Sequence, residues 1–211
     1  MDPSPYTAAG RRALHRRLQW RVPLPGSGTP LPVLRARTWT FPVLDVQPLL
    51  PVPYAITGGV ATRLYMQERD SDDLDIVVRA ADRPHVDAGL RHAGAAFVGD
   101  HPAGGSRWLL PDGSALDVLA FADPWVAEAL STPVPAPDGQ PVIALPFLVL
   151  MKLTACKRFD WGDLPRLVGD LDDDGLAPIR EAVARYAPDA ADDLEWVIER
   201  GRLEYADPTR R

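Results

Sequence analysis

Apolar and polar positions change their period several times along these 211 residues, and each change marks an element. Residues 54–56 are a short apolar run that ends at two adjacent glycines, Gly58 and Gly59. Val60, Ala61, Leu64 and Tyr65 then recur near one face at helical spacing, which predicts a helix over residues 60–67. After a charged turn, Asp73-Leu74-Asp75-Ile76-Val77-Val78 alternates as a strand does. That period of two puts Asp73 and Asp75 on one face and Leu74, Ile76 and Val78 on the other. Val86, Leu90 and Ala93 predict a helix over residues 81–94, with Gly94 near its stop. Residues 95–98 read as a short strand. Residues 108–110 and 115–121 read as the arms of a hairpin turning at Pro111-Asp112-Gly113. In the second arm Asp117 alternates with Leu116 and Val118.

On either side the pattern is different. Residues 8–20 predict a short helix, with Leu14, Leu18 and Trp20 between arginines. Residues 33–40 alternate as a strand would, after a loose Gly26-Ser27-Gly28 turn. The proline-rich residues 131–145 read as a linker. Beyond them residues 146–157 are apolar almost all round, as in a buried helix, except for Lys152. A lysine there must snorkel out, pair with an acid or meet a ligand. Further helices are expected near residues 163–171, 175–186 and 189–204. The expected organisation is therefore an amino-terminal extension (1–50), an α/β core (51–130), the linker (131–145) and a helical part (146–211).

Charge adds an asymmetry to this picture. The net charge is −6, yet residues 1–40 carry seven arginines against the single acid Asp2. A basic end on an acidic body could approach nucleic acid locally, whereas the chain as a whole would not attract it. The single cysteine, Cys156, excludes an intrachain disulfide and a cysteine-based zinc site. With no apolar run long enough to span a bilayer and no signal-peptide core, a cytoplasmic protein is expected.

The chemistry concentrates around the diglycine. Two carboxylates a pleat apart can grip a hard divalent cation. Glycines let the backbone come close to phosphate, and the helix start after them offers N–H groups and a positive dipole end. Asp117 is an acid amid Leu-Asp-Val-Leu, out of place in a strand unless something binds it, and is the third carboxylate candidate. Arg63 and Arg69 are charge partners for phosphate or simply exposed cations. Lys152 is explained either by a ligand or by a salt bridge to Asp163. Asp172-Asp173-Asp174 lacks the spacing of a calcium loop and reads as a charged turn or helix cap. The four histidines show no ligand spacing and read as isolated surface groups, and the tryptophans read as packing.

Taken together, Gly58-Gly59, thirteen intervening residues, Asp73-Leu74-Asp75 and the later Asp117 resemble the signature of the DNA polymerase β superfamily of nucleotidyltransferases. The later part is similar to the AbiEii-like toxin group. It matches in Leu150-Met151-Lys152-Leu153-Thr154-Ala155, then Arg158, then Asp160 and Asp163-Leu164. Gly59 stands where several of those toxins have serine, and Phe159 where a basic residue often precedes the Asp-x-x-Asp. The resemblance covers about residues 52–205. It implies an α+β fold, a mixed sheet flanked by helices with a helical carboxyl-terminal part. It also implies two Mg²⁺ ions held by Asp73, Asp75 and Asp117, and an NTP whose NMP passes to a hydroxyl acceptor. Gly58, Gly59, Arg63, Arg69 and Asp163 would then serve the nucleotide, and Lys152 would join the three acids in catalysis. The implied acceptor is an RNA or tRNA end, in a toxin paired with an antitoxin protein. The alternatives are adenylylation of a small hydroxylated molecule such as an antibiotic, or a non-catalytic nucleotide-binding module.

Overall fold

The computed structural model describes residues 31–37, 39, 44–67, 71, 73–155 and 160–206, with the backbone alone for Asp160 and Trp161. The arginine-rich residues 8–20, the Gly26-Ser27-Gly28 turn, Arg69, Cys156, Arg158 and Phe159 lie outside the described residues. The chain divides into two compact units, residues 37–144 and residues 1–36 with 145–211. The fold is α+β. The described α-helical segments are α1 (Leu31–Leu34), α2 (Gly58–Ala61), α3 (Arg83–His92), α4 (Pro124–Ser131), α5 (Leu145–Ala155), α6 (Asp160–Val168), α7 (Asp173–Tyr186) and α8 (Ala191–Ala206). The strands are β1 (Ala55–Thr57), β2 (Asp73–Arg79), β3 (Ala96–Asp100), β4 (Gly105–Leu109), β5 (Ala115–Phe121), β6 (Val134–Pro135) and β7 (Pro141–Val142). Among the described residues, no helix is long and apolar enough to cross a membrane.

In residues 37–144 the strands form one mixed seven-stranded sheet, in the order β3-β4-β5-β2-β1-β7-β6. β2 is parallel to β5 and β1 to β7, and the remaining neighbours are antiparallel. Alternation sets the two faces. Leu74, Ile76 and Val78 of β2, with Leu116 and Val118 of β5, are buried, whereas Asp73, Asp75 and Asp117 are part-exposed on the opposite face. On the apolar face α3 contributes the fully buried Val86 and Leu90. Its Asp87 accepts a 2.8 Å hydrogen bond from Ser106 Oγ, which in turn accepts one of 2.9 Å from Trp108 Nε1. Trp108 is sealed there, 1% exposed, which removes it as a platform for stacking a base.

Two segments differ from the pattern-based expectation. Residues 131–145, read as a linker, contain the hairpin β6–β7, whose second strand pairs with β1 through Ile56 and Val142. Ile143 N–H also donates to the Ile56 carbonyl at 2.9 Å. Prolines cannot donate to a ladder, so Pro135 and Pro141 suit this short outer hairpin, and they also hide it from a pattern search. Residues 33–40, read as a strand, begin instead within the single helical turn α1, where Pro32 in the first turn favours the helix.

The helical unit is organised around α5, in which every residue from Phe147 to Leu153 is buried. Helices α6 and α8 meet at glycines: a Cβ on Gly201 would stand 2.3 Å from the Pro165 carbonyl oxygen and 2.6 Å from the Gly169 Cα. Asp172 caps α7, accepting the Gly175 N–H at 2.9 Å, as the acidic triplet suggests. Arg35, just after α1, grips Asp170 with hydrogen bonds of 2.9 and 2.8 Å.

Candidate active site

Strand register assembles the three acids. Asp75 on β2 lies directly opposite Asp117 on the parallel β5, and Asp73 sits two residues earlier on the same face. Each offers a carboxylate oxygen, and these oxygens all lie within 4.8 Å of one another. Among the described residues no other group of three histidines, cysteines or acids comes together in this way. Ser71 Oγ donates to Asp73 Oδ1 at 3.2 Å from the turn leading into β2. An all-oxygen set of this geometry could hold a hard cation.

The diglycine is placed by the same ladder. β1 pairs antiparallel with β2 so that Thr57 faces Asp75, which brings Gly58 beside that carboxylate. Gly58 has a φ of 63°, and a Cβ there would stand 1.8 Å from Asp75 Oδ2. Glycine is thus required twice over, for the left-handed backbone and for the contact. The helix begins at Gly58 itself, two residues before the expected start. It runs into a 3₁₀ turn over Thr62–Leu64, and Thr62 Oγ1 donates to the Gly59 carbonyl at 2.6 Å. Arg63, in that turn, is only 8% exposed.

Lys152 and Asp163 form their own ion pair inside the helical unit, Nζ to Oδ2 at 2.8 Å, with both side chains buried. Arg69 lies outside the described residues.

Two further residues stand on the acidic face, Arg107 and His101. Arg107 of β4 is the direct cross-strand partner of Asp117, and its side chain is exposed. The expected turn at Pro111-Asp112-Gly113 already implied this pairing, because residues equidistant from the turn face each other. His101, grouped among surface histidines, is instead buried, with Nε2 3.5 Å from Asp117 Oδ2. Nothing in its sequence spacing marks it, since it reaches Asp117 only through the β3–β4 turn.

No protein-family model matches the chain, and no curated protein does. Among solved structures it is similar to the crystal structure of ANT(2'')-Ia in complex with adenylyl-2''-tobramycin. That match has 20% identity, covers 73% of this chain and 89% of that one, and has a TM-score of 0.39. It is similar also to the solution structure of the antibiotic-resistance factor ANT(2'')-Ia, at 19% identity over 73% of this chain and 84% of that one, with a TM-score of 0.38. A likeness of that size leaves the functional reading to the chain's own residues.

Proposed function

We propose that this protein is a metal-dependent nucleotidyltransferase that moves an NMP from an NTP to a hydroxyl acceptor. One observation carries the reading: Asp73, Asp75 and Asp117 are locked by strand register with their oxygens within 4.8 Å, against a glycine that has no room for a side chain. Mg²⁺ held by these three acids would lower the pKa of the acceptor hydroxyl and offset charge on the phosphates. The chain's own residues supply the rest. Asp117 is the candidate to receive the hydroxyl proton as the oxygen attacks the α-phosphorus and pyrophosphate leaves. Backbone N–H groups at Gly58 and Gly59 are the candidates to hold the β- and γ-phosphates, with Arg63 and Arg69 adding positive charge. The resemblance would add Lys152 to this reading, and within the helical unit its Nζ is engaged by Asp163 at 2.8 Å.

Charge balance bears on the acceptor. Residues 37–144 carry seven arginines against fourteen acids, which disfavours a polyanion and favours a small, cationic, hydroxylated molecule. The toxin-type reading, with an RNA or tRNA end as acceptor and an antitoxin as partner, rests on the motif around Lys152 and Asp163 and on the arginines of residues 1–40.

The test is transfer of label from NTPs in the presence of Mg²⁺, with total RNA in one arm and aminated, hydroxylated small molecules in the other. Asp73→Ala, Asp75→Ala and Asp117→Ala should each lower incorporation by about three orders of magnitude, the several kcal/mol that metal-borne charge stabilisation supplies. Their melting temperatures should hold or rise as like charges are removed. Equal incorporation in all four proteins would remove these acids from the reaction. Transfer to RNA should fall steeply as salt rises, whereas transfer to a small acceptor should change little.

A further inference from the structure

We propose that His101 is a positioning residue for Asp117, held by the backbone as the Nε2–H tautomer so that it donates to Oδ2 and fixes the rotation of that carboxylate. The inference rests on the metal-binding reading of the three acids. Gly99 pairs with Arg107, and Arg107 with Asp117, so strand alternation brings residue 101 back to the acidic face. The turn that follows β3 is stitched to the sheet. His101 N–H donates to the Gly105 carbonyl at 3.1 Å, Gly104 N–H to the His101 carbonyl at 2.9 Å, and Ala120 N–H to the Gly104 carbonyl at 3.3 Å. Gly105, with a φ of 110°, lies so close to β5 that a Cβ would stand 1.8 Å from the Val118 carbonyl oxygen. A histidine in this turn is therefore carried up against Asp117, and its side chain is only 7% exposed.

The tautomer follows from one contact. Ala103 N–H donates to His101 Nδ1 at 3.1 Å, so Nδ1 is an acceptor and holds no proton. The ring proton is then on Nε2, the atom 3.5 Å from Asp117 Oδ2. That separation is long for a hydrogen bond, and contacts of this kind tighten when a site fills. A ligating carboxylate free to rotate would spread its oxygens over several orientations, whereas one held at Oδ2 by a donor presents a fixed acceptor. Outer-shell partners of metal ligands act in this way.

The experiment uses the full chain and Mn²⁺ alone as the probe, with bound metal read by electron paramagnetic resonance, and compares wild type, His101→Gln, His101→Leu and Asp117→Ala. Glutamine keeps an N–H donor near the Nε2 position, and leucine does not. His101→Leu should weaken Mn²⁺ binding about tenfold or more, and His101→Gln should recover most of that loss. If His101→Leu binds Mn²⁺ as wild type does, or if glutamine fares no better than leucine, the positioning role is overturned. If wild type binds no Mn²⁺ that Asp117→Ala abolishes, the metal reading itself falls, an outcome distinct from the other two. A measurement on wild type alone guards against misfolded variants: long-range ¹⁵N–¹H correlation should show the His101 ring protonated at Nε2 only, and a proton on Nδ1 would refute the proposal.

Discussion

The sheet unit and the helical unit both draw acids away from bulk water, on opposite terms. In the helical unit Asp163 is 4% exposed and meets Lys152, itself 2% exposed, at 2.8 Å. In the sheet unit three part-exposed acids are held with their oxygens within 4.8 Å of one another. The first arrangement carries its own counter-charge. The second crowds like charges, each pair repelling by roughly 3 kcal/mol at the effective dielectric of a site near the surface. A strand register that keeps such a cluster together costs stability, which the proposed cation would offset. The comparison separates an ion pair that can hold a fold together from a cluster that makes sense with a cation added.

The largest expected effect tests the first half of that contrast. Lys152→Met leaves Asp163 as a buried charge without its lysine and should cost about 3–5 kcal/mol in urea unfolding. The double variant Lys152→Met/Asp163→Leu should recover most of the loss, because an apolar pair suits the interior of α5 and α6. An unchanged single variant would dissolve the contrast. A double variant that is stable but transfers no nucleotide would sharpen it, giving Lys152 a role in the reaction beyond its structural one.

Glycine contacts draw the same line on a smaller scale. Gly201→Ala forces a Cβ to within 2.3 Å of the Pro165 carbonyl oxygen and should destabilise the helical unit by about 1–3 kcal/mol, through packing alone. Gly58→Ala puts a Cβ 1.8 Å from Asp75 Oδ2, so it should lose Mn²⁺ binding together with a comparable amount of stability. Thermal melts with and without Mn²⁺ read both. If Gly58→Ala keeps the full metal-induced rise in melting temperature, the diglycine does not set the Asp75 carboxylate.

Much of this contrast could be read from the residues before any coordinates. The alternation of Asp73 to Val78, and of Leu116, Asp117 and Val118, foretold both strands and the shared face of Asp73 and Asp75, because a half-buried strand writes its faces into the sequence. The continuous apolar run Phe147 to Leu153 foretold a buried helix, with Lys152 as its exception. What escaped depends on tertiary register or on prolines. The β6–β7 hairpin has two residues per strand and a proline in each, which resembles a linker in any pattern count. The parallel pairing of β2 with β5, which sets Asp75 against Asp117, leaves no local mark. His101 belongs to the same class: its partner is sixteen residues away across a turn whose glycines signal a bend but not a direction.

The smallest effect concerns a polar group that the sheet unit buries without an answer. Tyr54, just before β1, is 6% exposed, and its Oη makes no hydrogen bond among the described residues. Burial, with the nearby charges of Asp45 and Asp138, pushes its hydroxyl up from 10.0 to about 12. The sign follows from proton counting. Between about pH 10 and about pH 12 the folded chain keeps this proton while the unfolded chain releases it, so stability is full below that window and falls as pH rises through it. Tyr54→Phe should remove about 1–2 kcal/mol of that alkaline loss, while at neutral pH it should leave stability unchanged or raise it slightly by deleting an unsatisfied group. Urea unfolding of both proteins at neutral and alkaline pH measures the difference, in which the titration of all other groups cancels. A steep alkaline loss that persists undiminished in the phenylalanine variant would mean that Tyr54 Oη is solvated in the folded protein. The sheet unit would then confine its electrostatic strain to the three part-exposed acids, without sharing it with the strand that positions the diglycine.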